Sequence, residues 1–135
     1  MIYIEIDTRS QVPIYEQIMD RIRALVREGN LRPDSPLPSV RQLAADLDVN
    51  PNTVAKAYSL LEREGLVTTA RRRGTLIAPS ARNAAHKTVG SRLEEAIDRV
   101  LEAATTLGVD HTELVKALER REQSRKDVLP KRRST

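Results

Sequence analysis

A mainly α-helical chain with a small β wing is what this sequence predicts, and three observations carry the expectation. Two short helical stretches, each opened by a capping residue, are separated by a tight break at Asp48-Val49. Two β-favouring pairs, Leu66-Val67 and Leu76-Ile77, flank the basic turn ARRRG. Beyond residue 90, apolar side chains recur at helical spacing on either side of Gly108. The expected organisation is a winged helix-turn-helix domain over residues 1–79 and a linker over 80–90. A two-helix hairpin for dimerisation over 91–124 and a basic, disordered tail over 125–135 complete it.

The chain opens on MIYIEID, which alternates Ile2, Ile4 and Ile6 with Tyr3, Glu5 and Asp7. Period two predicts a short half-buried strand. A connector comes next, and Pro13 stands at a first helical position. The helix from there to Glu28 places Ile14, Ile18, Ile22, Leu25 and Val26 on its buried face. Gly29-Asn30 ends it. Residues 31–37 contain Pro33 and Pro36, so they read as a loop or short edge strand that fixes the angle into the next pair of helices. Ser39 with Gln42 three residues on has the spacing of a capping box, and Leu43, Ala44 and Leu47 share one face. After the break, Asn50 is the N-cap and Pro51 takes the first helical position, where a missing N–H costs nothing. That helix runs to Gly65. Two helices joined by so short a turn are the helix-turn-helix signal.

The second helix of the pair divides by angle. Val54, Ala57, Tyr58 and Leu61 fall on the core side, which makes Tyr58 a packing residue and not a base-stacking one. Asn52, Lys56, Ser59 and Arg63 lie opposite, with Thr53 flanking them near the N-terminus. Asn can bond adenine in bidentate fashion, Lys can reach guanine, and the Thr methyl can touch thymine. An ordinary solvated face would look the same on this helix alone. The hairpin after it tips the balance: Arg71, Arg72 and Arg73 crowd the tip and repel one another, and a phosphate backbone or minor groove would offset that repulsion. Helix, turn, helix and basic wing together predict a reader of double-stranded DNA.

PIYEQI, LPSVRQLAADLDVNPNTVAKAYSLLEREGLV and RRRGT together resemble the DNA-binding domain of the GntR family of bacterial transcription regulators. The resemblance covers roughly residues 10 to 79. The short remainder is similar to that of the YtrA-like branch, which lacks the large effector domain of other branches. The resemblance implies operator contacts from Arg41, Asn50, Asn52, Thr53, Lys56, Arg73 and Gly74, and repression as the usual mode. The chain departs from many members at Pro51 and Ala55, where basic residues are common, so more weight falls on Asn52, Thr53 and Lys56.

Residues 79–89 show no periodicity, hence the linker. Ser91 with Glu94 then makes another capping box, and Leu93, Ala96, Ile97, Val100, Leu101, Ala104 and Leu107 form a wide apolar stripe. Gly108 closes that helix. Asp110 with Glu113 starts the next, with Leu114, Val115 and Leu118 on its apolar face. A hairpin of this size cannot bury a core alone. Packing against its own copy is the economical solution, giving a symmetric homodimer through Leu93, Ile97, Val100, Leu101, Ala104, Leu107, Leu114, Val115 and Leu118. The alternative is that it folds back onto the N-terminal domain. From Arg120 onward the chain is charged and interrupted by Pro130, and a frayed or disordered end is expected.

Bulk composition narrows the function classes. With 39% apolar but only 2% aromatic residues, the core must be built from Leu, Ile, Val and Ala. The absence of cysteine excludes a disulfide framework and thiol chemistry. No apolar run has membrane-spanning length and no leader pattern opens the chain, so a cytoplasmic protein is expected. The net charge of +4 is misleading: residues 119–135 hold seven Lys/Arg against three Asp/Glu, and residues 1–118 carry sixteen of each sign. The case for DNA rests on where charge sits, at Arg41, Lys56, Arg63 and Arg71 to Arg73. His86 and His111 lack ligand-spaced partners and the five glycines form no phosphate loop, so no metal, cofactor or enzyme activity is expected. A small-molecule effector at a dimer interface or between the domains stays open.

These residues point to a dimeric, sequence-specific transcription regulator, a repressor on an inverted-repeat operator. A nonspecific or architectural nucleic-acid binder is the first competitor, but shape binders have no need of Asn52, Thr53 and Lys56 pointing outward. A winged-helix protein-interaction module is the second, and it would have little use for three arginines at the wing tip.

Overall fold

Among residues 2–128, which the structure (a computed structural model) describes, five helices and one two-stranded sheet form. In chain order they are α1 (Ile14–Arg27), α2 (Val40–Leu47), α3 (Pro51–Arg63), β1 (Val67–Ala70), β2 (Gly74–Ile77), α4 (Ala81–Leu107) and α5 (His111–Val128). The chain divides into two units between Ser91 and Arg92.

In the first unit α1 and α2 both pack on α3. Ile18 and Ile22 of α1, Val54 and Leu61 of α3, and Leu66 and Ile77 of the wing are fully buried at its centre. Of the expected α1 face Ile18, Ile22, Leu25 and Val26 are buried and Ile14 only half-buried, and Met19 and Arg23 extend it. Each such aliphatic side chain contributes roughly 1.5–3 kcal/mol by leaving water. Tyr58 is buried among them, and its hydroxyl donates to the Pro38 carbonyl at 2.8 Å. Burial pushes its phenol pKa well up. The tyrosine therefore anchors the approach to α2 onto α3, as packing and not as an exposed stacking platform.

Local chemistry sets the helix ends. Ser39 accepts the Gln42 N–H at 3.1 Å, but the Gln42 side chain turns to Asp46 instead of reaching back, so only half of the capping box forms. Asn50 accepts the Asn52 N–H at 2.8 Å and Pro51 takes the first position of α3. Gly65, with φ +82°, stops α3: its N–H bonds the Glu62 carbonyl at 3.0 Å and the next N–H bonds Leu61 at 3.0 Å. This is a Schellman closure, which needs the left-handed conformation glycine takes without penalty. Asp48, at φ 55°, fills the corresponding seat between α2 and α3.

The wing is a plain antiparallel pair, from Val67 opposite Ile77 to Ala70 opposite Gly74. The proline-bearing segment before α2 runs along it. Leu37 N–H donates to Thr75 O at 2.8 Å, Ile77 N–H to Ser35 O at 2.9 Å, and Pro36 bridges Leu76. Of the two expected forms, loop or short edge strand, the segment is a loop that pairs locally along the edge of β2.

Several expectations need correction. Residues 2–6 form no strand, because no ladder partner lies beside them among the described residues. Their alternation survives as packing: Ile4 is buried, Ile2 and Ile6 pack against the core, and Tyr3 and Glu5 face out. Gln17 staples the connector after them, accepting Asp7 N–H at 2.7 Å and donating to the carbonyls of Asp7 and Val12 at 2.9 and 2.8 Å. Pro13 is the N-cap of α1, one place before its first helical residue.

Residues 81–90 are not a linker but the first part of α4. Ala81 and Ala85, four apart, are fully buried in the core of the first unit. A stripe made only of alanine has too little hydrophobic contrast to show as periodicity, though alanine is the strongest helix former. Ser91 and Glu94 consequently lie inside α4 and cap nothing.

The disorder expected from Arg120 onward is not found as far as Val128. α5 continues past Arg120 and Arg125 to Val128. Glu122 and Lys126 pair at 3.4 Å and Gln123 bonds Asp127 at 3.3 Å, both at i,i+4, which stabilises a helix without any core. The rest of the expected disordered tail, residues 129–135, lies outside the described residues.

In the second unit, Gly108 (φ +72°) closes α4 and Asp110 caps α5 by accepting the Glu113 N–H at 2.9 Å, as the sequence indicates. The two helices do not pack along each other as α1 and α2 pack on α3. Their apolar stripe stays open: Leu93 is 57% exposed, Ile97 45%, Leu101 48% and Leu118 53%. Val100, Leu107 and Val115 are exposed as well, Leu114 is half-buried, and only Ala104 is buried.

Candidate nucleic-acid interface

The reading head is held from behind. Arg23, on α1, is 5% exposed, yet its charge is matched on both sides. Its guanidinium bonds Asp20 at 2.8 Å and grips both carboxylate oxygens of Glu64, with Nε donating to Oε2 at 3.0 Å and Nη2 to Oε1. Glu64 is the C-cap of α3. A planar fork on a carboxylate fixes direction as well as distance, so the inner end of α3 is pinned to α1. The sequence signal for this is an arginine on an otherwise apolar helix face, and its partner lies 41 residues away.

The outer end of α3 carries the expected readers. Asn52 is exposed one position after Pro51, and Thr53 is half-buried beside it. Asn50 is exposed too, but its side-chain oxygen is engaged as the cap on Asn52 N–H. Lys56 is exposed but does not extend straight out: its ammonium lies 4.0 Å from the centroid of the Tyr15 ring at the start of α1. Arg41, the second residue of α2, is exposed.

The wing is tied to α3 by Thr69, whose hydroxyl donates to Glu62 Oε2 at 2.8 Å. Beyond that tie the chain turns through Arg71, Arg72 and Arg73, all exposed, with Arg73 N–H closing the turn on Ala70 O at 3.2 Å. Gly74, the first residue of β2, follows the turn at φ +75°, a left-handed conformation that glycine takes without penalty. Three guanidinium groups are thus presented on a short, braced hairpin, each able to bond a phosphate. Among the described residues, no group of three or more His, Cys, Asp or Glu is placed to hold a metal ion. No helix among them is long and apolar enough to cross a membrane.

Residues 14–77, from the first residue of α1 to the last of β2, match the family described as bacterial regulatory proteins, gntR family. The transcriptional repressor YtrA of Bacillus subtilis is 42% identical over 107 residues, covering 79% of this chain and 82% of the relative. The chain belongs to the GntR family. Two solved structures extend the likeness beyond the head. YtrA from Sulfolobus acidocaldarius, a GntR-family transcription factor, is 37% identical with a TM-score of 0.58, over 73% of this chain and 97% of that one. A protein from Listeria monocytogenes described as a transcriptional antiterminator is 33% identical with a TM-score of 0.68, over 91% of this chain and 92% of that one. This GntR protein is therefore a YtrA-like, DNA-binding helix-turn-helix regulator of transcription. The family match coincides with the elements that position Arg41, Asn52, Lys56 and the wing arginines.

Proposed function

We propose that this GntR protein is a cytoplasmic repressor that binds an inverted-repeat operator as a homodimer and blocks access to a promoter. The reading is carried by the apolar stripe on α4 and α5. Leu93, Ile97, Val100, Leu101 and Leu118 stay exposed in the single chain. At about 25 cal/mol per Å² of apolar surface removed from water, pairing two such stripes is strongly favourable. A two-fold pair would present two reading heads, and the DNA that satisfies both is an inverted repeat. In each head Asn52 and Thr53 would meet base edges, while Arg41 and Arg71 to Arg73 would supply contacts beside them.

Selection of bound sites from a random DNA pool, with footprinting of the winners, tests the reading. The expected product is two inverted half-sites with centres one helical turn, or a whole number of turns, apart. A single unrepeated contact block counts against the dimeric reader, and a diffuse footprint with no selected sequence favours a nonspecific binder.

A further inference from the structure

Lys56 is the reader whose position departs most from a simple outward projection. At 3.6 residues per turn it sits about 40° around α3 from Asn52, on the side toward Thr53, Leu60 and Glu64. That is the flank facing α1: Thr53 is half-buried, Leu60 packs against the core, and Glu64 grips Arg23 of α1. The Lys56 side chain runs in the same direction and lays its ammonium 4.0 Å from the Tyr15 ring centroid. The ring is held by packing, being half-buried against the core, and its hydroxyl adds only a long 3.3 Å donation to Glu16 Oε1.

A cation at this distance is drawn to the electron-rich face of the ring. The long lysine stem thereby gives up part of its freedom before any ligand arrives, so less is lost on binding. Direction matters as much as order. An α-helix about 10 Å across nearly fills a major groove about 12 Å wide. Side chains on its centre line then face base edges, and those on its flanks face the sugar–phosphate walls. A compact ammonium without a planar fork suits a phosphate better than the paired acceptors of guanine.

We propose that Tyr15 is a positioning residue for DNA binding: its ring holds the Lys56 ammonium on the α1 flank of the reading helix, where it takes a backbone phosphate. Lys56 then contributes affinity and salt dependence, and base choice falls to Asn52 and Thr53. The inference rests on the head being a DNA reader and assigns α1, outside the helix-turn-helix itself, a part in binding.

The test is binding of the full chain to its selected site and to single-base variants across a salt series, with melting midpoints measured for every variant. Lys56→Met keeps the stem and removes the charge. It should weaken every sequence to a similar degree, leave base preference intact and reduce the log–log salt slope by about one. Tyr15→Phe keeps the ring and should bind as the parent does. Tyr15→Leu keeps apolar bulk without the ring and should bind about 2- to 5-fold more weakly, the loss disappearing in the Lys56→Met background. Lys56→Met that changes preference at one base with an unchanged salt slope overturns the phosphate assignment. Tyr15→Leu that binds like the parent, or loses as much without Lys56 as with it, overturns the positioning role. If the parent chain itself selects no DNA, the reading of the head fails first, an outcome visible before any variant is made.

Discussion

Arg23 of α1 and Glu64 at the C-cap of α3 form a two-bonded fork across the inside of the reading head, with the arginine side chain 6% and the glutamate side chain 26% exposed. Removing one partner of a fully buried pair costs about 3–5 kcal/mol, because the other charge is stranded. Here Glu64 retains some contact with water, so Arg23→Met should cost less, about 1–3 kcal/mol. The double variant Arg23→Met/Glu64→Leu, which strands neither charge on the other, should recover much of that. Urea unfolding of the two singles and the double measures the coupling, and additive effects would show that the fork does not operate as a unit.

Two glycines should respond with opposite sign to the same substitution. Gly90 is exposed inside α4, with ordinary helical φ and nothing within 4 Å of an added Cβ. Gly90→Ala should stabilise by about 0.5–1 kcal/mol through helix propensity alone. Gly65 also has room, its nearest neighbour being the Ala84 methyl at 4.0 Å, but its φ is +82°. Gly65→Ala should therefore destabilise by about 1–2 kcal/mol from backbone strain. Denaturation midpoints that move in the same direction for both would contradict the conformational account.

The head is legible in the sequence because its signals are local and independent of partners. Ser39, Asn50, Pro51 and Gly65 each fix a helix end through their own chemistry, and the β pairs around Arg71 to Arg73 fix the wing. The features that escape a sequence reading depend on contacts across the fold. The Arg23–Glu64 fork joins residues far apart in sequence, and the Lys56–Tyr15 contact joins α3 to α1. The alternation of residues 2–6 describes burial correctly but cannot report whether a ladder partner exists. Helix over residues 81–90 is hidden because Ala81 and Ala85 carry its buried face with almost no hydrophobic contrast. At the far end, dense charge suggests disorder, yet i,i+4 pairs such as Glu122–Lys126 need no core to hold a helix.

The open stripe on α4 gives the proposed dimer a direct test. Val100 is 41% and Leu101 48% exposed in the single chain, so a charge at either position is tolerated by the monomer. At a dimer interface the same charge would be buried without a partner, a severe penalty. Val100→Glu and Leu101→Glu should sediment as monomers, keep the helical circular-dichroism signal and bind a full operator poorly. Variants that remain dimeric with the parent's DNA affinity would place the interface elsewhere.

The division of labour between α3 and the wing can be separated by salt. Asn52 is exposed in the first turn of α3, and the contact proposed for its amide is a base edge. Arg72 is the middle residue of the exposed turn between β1 and β2, and the contact proposed for it is a backbone phosphate. Asn52→Ala should cost about 1–3 kcal/mol on the selected site and relax choice at one or two base positions, because the contact proposed for Asn52 carries sequence information. Arg72→Ala should weaken all sequences about equally and reduce the log–log salt slope by roughly one, because the contact proposed for Arg72 is a phosphate. Titrations of the selected site and its single-base variants across a salt series read both quantities at once. An Asn52→Ala protein with intact base preference, or an Arg72→Ala protein with altered preference and an unchanged slope, would reverse the assignment, since each contact class has its own signature and the two do not mimic one another.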